Sequence, residues 1–312
     1  MKAVTFKNQQ ILITEVPEPD CGSEDLLVKV CSAGINAADI LQKRGLYPAP
    51  AGIPQNIPGL EFSGTVVKVG RKTSGFSPGD RVTGIVGGGA QAELITIHYS
   101  NALIVPDSVN LVDAGGFSET YLTAYDALVR QAGLQMGEKV LINGAAGGVG
   151  LSAVTIAALL NTRVTASARH VEHHQHLKTL GATPVLPEDV SKNAPYDVVL
   201  ELVGGINMEQ NISNLSDDGR ISVIGIGAGA KSEIDLRLVM SKRARIFGST
   251  LRARTTQSKA GLINEARTKL IPLLDQGKLP ITIAGRFDFN EAESAYESFS
   301  TPGKLGKILL VF

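Results

Sequence analysis

The residues with chemistry to offer gather between Lys139 and Arg169, in the stretch KVLINGAAGGVGLSAVTIAALLNTRVTASAR. Ala145, Gly147 and Gly150 stand at the first, third and sixth places of a dinucleotide fingerprint, with alanine in the first. A glycine turn that opens a helix aims unpaired backbone N–H groups and the positive end of the helix dipole at one point, which suits a diphosphate. About twenty residues past the glycines, a carboxylate would bind the ribose hydroxyls of NAD, whereas a cation with small donors would bind the 2′-phosphate of NADP. Ser167, Ala168 and Arg169 stand there and no acid precedes Glu172, so the spacing predicts NADPH.

Other candidate groups offer less. His170, His173, His174 and His176 put positions 170 and 174 one helical turn apart, but no cysteine or well-spaced carboxylate joins them, and a solvated face is expected. Ser118 in GFSET lacks the glycines that flank a hydrolase nucleophile. The uncharged run Val140 to Thr162 is long enough for a membrane span, yet its glycines and Asn143 fit a buried crossover better.

The elements that must position the glycine turn follow from the apolar patterning. Val140, Leu141 and Ile142 read as a strand covered on both faces, Leu151 to Leu160 as an apolar helix packed on the sheet, and the run ending at Arg169 as a second strand. YDVVLELVGG, RISVIGIGAG and ARIFGSTL read as further buried strands that end in small residues, giving a doubly wound parallel α/β sheet. Gly204, Gly205, Gly225 and Gly227 should then face the ligand. Ahead of this region the alternation in MKAVTF, ILITEV and LLVKVCSAGI predicts short antiparallel strands, followed by one or two helical turns from Ala37 to Arg44 and a Pro/Gly-rich loop from Gly45 to Pro58. A helix is expected over SETYLTAYDALVRQAG, another from about Lys259 to Gln276, a short one from about Glu291 to Phe299, and a closing strand KILLVF. The expected domains are 1–117, 118–253, and a return to the first over 254–312.

At 312 residues the chain can bury two cores, and its formal net charge of zero, spread without blocks, excludes a nucleic-acid footprint or an anionic-membrane surface. Met1 leads straight into a strand-like segment and the two cysteines are unclustered, so a reducing, cytoplasmic setting is expected.

With AGINAADILQKRGLYP, PGLEFSG, PGDRV, YLTAYDAL, NGAAGGVG and LGKILLVF in this order, the whole chain resembles the medium-chain dehydrogenase/reductase superfamily, and within it the zinc-free NADPH:quinone oxidoreductase branch. The resemblance implies a GroES-like, mostly-β substrate domain built from both chain ends, a Rossmann domain between them, and NADPH in the cleft. It carries nucleotide binding onto Ala146, Gly147, Gly148, Val149, Ser167 and Arg169, then Gly205, Gly225, Ile226, Ser249 and Leu251, with Thr123 near the diphosphate. Zinc-using relatives bind their metal through cysteine and histidine. Ile35 and Asn36 stand where the cysteine would be, and PGLE replaces the histidine-bearing segment, so hydride transfer without a metal is expected.

Tyr47 and Asn36 are the catalytic candidates, Tyr47 also lying at the cofactor by its family counterpart. A phenol or an amide can meet the charge that develops on an acceptor oxygen, although Asn36 is also a strong cap for a helix starting at Ala37. Three functions stay open: a quinone reductase, a reductase of enones or enoyl thioesters, and a non-catalytic NADPH-binding protein of the crystallin or sensor kind. A small-molecule substrate is implied, and a homodimer is expected through an edge strand near Arg245 to Leu251.

Overall fold

The computed structural model describes residues 1–312. The chain forms two compact units, 1–122 with 251–312, and 123–250. The crossings fall within the helix Ser118–Tyr125 and after Thr250, compared with the expected 118 and 253.

The first unit opens with a hairpin of β1 (Lys2–Lys7) and β2 (Gln10–Glu15), turned by Asn8 and Gln9 at φ of 50° and 63°. There follow β3 (Asp25–Gly34), β4 (Glu61–Val69), β5 (Arg81–Ile85), β6 (Leu94–His98) and β7 (Ala102–Ile104), all pairing antiparallel. Their alternation buries Leu26, Val28, Phe62, Val82, Ile95 and Ile97 in one core, because successive side chains on a strand point to opposite faces. The helices α1 (Ala37–Lys43), α2 (Leu111–Ala114) and α3 (Ser118–Tyr125) connect these strands and lead onward.

The second unit is a parallel sheet. Its strands are β8 (Lys139–Asn143), β9 (Arg163–Ser167), β10 (Thr183–Val185), β11 (Tyr196–Glu201), β12 (Leu215–Val223) and β13 (Arg245–Gly248), in the order β10-β9-β8-β11-β12-β13. Between β8 and β9 runs α4 (Gly148–Leu159), every residue of it from Gly150 to Ala157 buried. The register sets Val185, Ser167, Asn143, Glu201, Val223 and Gly248 in one row across the carboxyl ends of the strands, the edge at which open α/β sheets bind ligands. The last strands, β14 (Ile283–Asp288) and β15 (Lys307–Val311), return to the first unit, where β15 pairs antiparallel with β3 and parallel with β14.

Three sequence expectations are corrected. The helix expected from Ser118 gives way after Tyr125 to a π-helical stretch, Asp126–Gln131. The single helix expected from Lys259 to Gln276 is two, Thr256–Lys269 and Ile271–Asp275, and the break falls at Leu270, two residues before Pro272, whose ring lacks the N–H that a continuous helix needs. The strand in ARIFGSTL is not buried. As the last strand of the sheet it covers only one neighbour, and Arg245, Ile246 and Gly248 are exposed.

Candidate functional site

Most nucleotide candidates of the second unit lie at or just past the carboxyl edge of its sheet, where the glycine turn between β8 and α4 stands. The left-handed conformation that the turn needs is supplied by Gly144, at φ 77°, one residue before the first place of the fingerprint, so Ala145 can keep its side chain, fully buried. Gly147 is the N-cap of α4, in extended conformation and with nothing near its missing side chain closer than 3.7 Å. At Gly150 a Cβ would stand 2.5 Å from the carbonyl oxygen of Gly144, so only glycine lets the helix lie this close to the turn. Ala146, Gly148 and Val149 share the same partly exposed rim. The N–H groups of the first helical turn have no partner within the helix, and together with the dipole of a twelve-residue helix they fit an anion such as a diphosphate.

Beside the turn, β9 ends on buried Ser167, whose carbonyl accepts from the N–H of Ala145, and Arg169 follows on an exposed bend. Thr123, near the end of α3, is buried with its Oγ1 lacking any hydrogen-bond partner, as expected of a hydroxyl kept for a ligand. These groups fit a phosphorylated dinucleotide. Gly205 and Gly225 are both tied down by backbone. The N–H of Gly205 donates to Gly229, that of Gly225 to Glu201, and a Cβ at either would collide with a carbonyl. Ile226 lies exposed next to them. Ser249, just past β13, donates its hydroxyl to Asp126 at 2.8 Å and accepts from Gln131 at 2.8 Å, while its N–H donates to the carbonyl of Val223 at 3.2 Å, so the π-helical stretch and β12 both hold it in place.

Glu201, which ends β11, escaped the sequence reading. Fully buried, its carboxylate accepts from the N–H groups of Val203 and Gly204 and from the side-chain amides of Asn143, Asn207 and Asn211. It thereby joins the end of β8 to the loop that carries Gly204 and Gly205. The signal was present in LELVGG, a lone acid in an apolar strand, since a buried charge must find donors.

The remaining candidates, Asn36, Tyr47 and Leu251, belong to the first unit. Asn36 is the N-cap of α1, and the pair of cap bonds closes through Asp39, which accepts from the N–H of Asn36 at 2.8 Å. Its side-chain amide donates to Gly34 at 3.3 Å and to Glu61 at 3.2 Å, while its Oδ1 accepts from Lys307 at 2.7 Å. Both amide hydrogens are thus engaged. Lys307 also donates to Glu61 at 2.6 Å and to the carbonyl of Ile35, making a buried ion pair beneath the loop. Glu61 completes its bonding with the N–H of Glu119 at 2.8 Å. Burial, with the charge of Glu61 added, pushes the Glu119 carboxyl up to about 8, and its Oε2 has no partner. Asp39 is pushed up by burial to about 6, although the N–H groups of Asn36 and Gly59 partly offset this.

Tyr47 is half-buried on the loop after α1, with the guanidinium of Arg252 over its ring, 5.0 Å from the centroid. Arg252 also donates to the carbonyls of Tyr47 and Gly87, at 2.9 and 2.8 Å, and to the side chain of Gln42. Leu251, buried, precedes it. Arg252 and Lys307 carry no spacing signal; only their place among apolar or small neighbours in STLRAR and LGKILLVF marks them. Of the four histidines, His170 and His173 bring their ring centres to 5.4 Å, but His170 lies outside the helix that begins at His174, and no group of three or more His, Cys, Asp or Glu side chains stands together to hold a metal ion. No helix is long and apolar enough to cross a membrane.

Comparison with known proteins agrees with this arrangement. Residues 22–131 match the alcohol dehydrogenase GroES-like domain and residues 148–266 the zinc-binding dehydrogenase domain. The quinone oxidoreductase-like protein 2 of Bos taurus is 30% identical over 96% of this chain and 88% of its own length, and the quinone oxidoreductase of Homo sapiens 28% identical over 96% and 93%. Among solved structures, the Escherichia coli quinone oxidoreductase complexed with NADPH superposes over 100% of both chains with a TM-score of 0.88 at 24% identity, a likeness of fold. A Rossmann sheet and a GroES-like unit in one chain, with relatives that span nearly all of it, establish that this chain belongs to the medium-chain dehydrogenase/reductase superfamily, in its quinone oxidoreductase branch.

Proposed function

We propose that this chain is an NADPH-dependent oxidoreductase that passes hydride to quinones or conjugated carbonyls without a metal. The observation that carries the reading is the end of β9, where buried Ser167 and exposed Arg169 stand beside the glycine turn with no carboxylate among them. Relatives named quinone oxidoreductase support the oxidoreductase class and the acceptor. Bound NADPH supplies the hydride. The N–H groups at the start of α4, from Gly148 and Val149, hold the diphosphate with Ala146 and Gly147, and the Thr123 hydroxyl donates to it. Ser167 and Arg169 bind the 2′-phosphate, and the backbones of Gly205, Gly225, Ile226, Ser249 and Leu251 border the rest.

Tyr47 is the donor to the acceptor oxygen, its ring held in place by Arg252. The part of Asn36 is narrower, to fix Lys307 and the start of α1. Metal independence rests on Ile35 and Asn36 at the place of the cysteine and Leu60 at that of the histidine, the Asn36 side chain being taken up by Gly34, Glu61 and Lys307. The free thiols of Cys21 and Cys31 suit the cytoplasm. A homodimer would pair β13 across a two-fold axis, supported by that strand's open edge and by exposed Leu236 and Met240 nearby in the sequence.

The experiment is to follow NADPH oxidation with a panel of quinones and enones, and to titrate NADPH and NADH into wild type and Arg169→Ala. A charge-assisted phosphate contact is worth about 1.5 to 3 kcal/mol, so Arg169→Ala should weaken NADPH by roughly one to two decades and leave NADH unchanged. NADPH bound tightly but oxidised by no acceptor would instead favour the non-catalytic reading.

A further inference from the structure

The first unit contains a cavity of about 210 Å³ walled for the most part by apolar side chains, Ile53, Ile57, Ile85 and Ile95 among them. Two buried polar side chains interrupt that lining. Lys259, in the first turn of the helix Thr256–Lys269, is 6% exposed, and so is Asn101, the last residue of the short turn Tyr99–Asn101. The helix is bonded to that turn further along its length, where Arg267 donates to the carbonyl of Ala102 at 3.2 Å. Lys259 and Asn101 thus border one space from two elements held together.

Each of the two has bonding capacity to spare. The Lys259 ammonium has three hydrogens to give, and one goes to the carbonyl of Arg252 at 3.2 Å. The Oδ1 of Asn101, buried, has no hydrogen-bond partner. Lys259 is the only charged side chain in the lining. Burial holds it below its ordinary range, Arg252 and Arg254 oppose its charge, and Glu119, which favours that charge, itself holds a proton at neutral pH. A buried cation without an anion and a buried acceptor without a donor are both costly, and in a mostly apolar cavity they are the groups that fix a ligand's orientation.

We propose that this cavity is a binding site for a small monocarboxylic acid with an apolar body and a hydroxyl group, its carboxylate accepting from Lys259 and its hydroxyl donating to Asn101. One cation calls for one negative charge, which favours a carboxylate over a phosphate dianion. The guanidinium of Arg252 does not compete for the anion, being committed to the carbonyls of Gly87 and Tyr47 and to the side chain of Gln42. The cavity is smaller than the roughly 300 to 1,000 Å³ of sites for drug-sized ligands, so the body is a single ring or a short branched chain. No step of hydride transfer is assigned to this site, and it stands or falls apart from the reductase reading.

The test is calorimetric titration of the cofactor-free chain with 3- and 4-hydroxybenzoate, against benzoate, which lacks the hydroxyl, and the corresponding hydroxybenzyl alcohols, which lack the charge. On wild type one of the hydroxybenzoates should bind at one site per chain. Its alcohol should bind roughly tenfold to a hundredfold more weakly, and benzoate roughly twofold to tenfold more weakly. Lys259→Met should erase the preference for acid over alcohol, and Asn101→Leu should bring the hydroxybenzoate down to the level of benzoate. If neither hydroxybenzoate binds wild type, or if acid and alcohol bind it equally, the proposal is overturned whether or not the variants fold. It is overturned too if Lys259→Met keeps the acid preference, which would put the anion elsewhere, or if Asn101→Leu still separates hydroxybenzoate from benzoate. Because NADPH takes no part in the readout, a wild type that reduces no acceptor would end the reductase reading and leave this result intact.

Discussion

Glu61 at the head of β4 and Glu201 at the tail of β11 are both fully buried carboxylates, yet they are housed in opposite ways. Glu61 is matched by a cation, Lys307 at 2.6 Å, and by the amide of Asn36. Glu201 has only neutral donors, two backbone N–H groups and three asparagine amides. In the first case one partner carries most of the compensation, so the charge is exposed to a single deletion. In the second the compensation is divided among donors that also fix the backbone near the glycine turn, so a loss there should show as misplacement of the loop as much as instability.

The sharpest way to break the contrast is Lys307→Met, which leaves Glu61 buried and unpaired. Denaturant melts should show a loss of about 3 to 5 kcal/mol, and adding Glu61→Gln to the same chain should recover most of it. If the single variant costs under about 1 kcal/mol, the ion pair is not what shields Glu61. Glu201→Gln should cost less, about 1 to 3 kcal/mol, because the new NH₂ faces donors where an acceptor stood. Its distinguishing mark should be weakened NADPH binding in calorimetric titration, since Val203 and Gly204, which lead into Gly205, lose part of their anchor. Unaltered affinity would mean that the loop holds its place without Glu201.

The smallest effect concerns Glu119, which sits beside Glu61 and whose charge Lys307 and Lys259 favour too weakly to offset burial. Unfolded, it ionises near its ordinary 4.5, and folded only near 8, so across that window the folded chain holds a proton that the unfolded chain has released. Its contribution to stability is therefore complete below about pH 4.5, falls as pH rises, and is gone above about 8. Melting wild type against Glu119→Gln should show the variant gaining about 1 to 2 kcal/mol relative to wild type between those limits, after allowance for the partly exposed residue. A difference that does not change with pH would show that the carboxyl is already ionised when folded.

What was legible in the sequence was local. The apolar run at Val140, the glycines after it and the charge-free helix to Leu159 determine their own structure through neighbours a few residues away, and the βαβ unit can be read from them. The partner of Asn36 could not be read, because Lys307 lies 271 residues further on and no periodicity connects them. The same holds for Arg252, which reaches Tyr47 across 205 residues. ARIFGSTL reads both as a buried strand and as a sheet edge near Arg245 to Leu251; its place at the end of the sheet agrees with the edge, and its composition alone does not decide between the two. The π-helical stretch at Asp126 has an ordinary helical pattern, and its ties to Ser249, 123 residues further on, leave no trace in it.

The displacement of the left-handed residue to Gly144 has a consequence for how such chains diverge. With φ at 77° there, the next position carries no demand for a left-handed backbone, and the alanine found at 145 could be exchanged for glycine without moving the turn. Positions 144 and 150 are closed to such drift, one by its backbone angle and the other by the 2.5 Å approach to a carbonyl. Descendants of this sequence are free to erase the first letter of the fingerprint while keeping the cradle it is taken to signify, and a search that insists on that letter will pass over them.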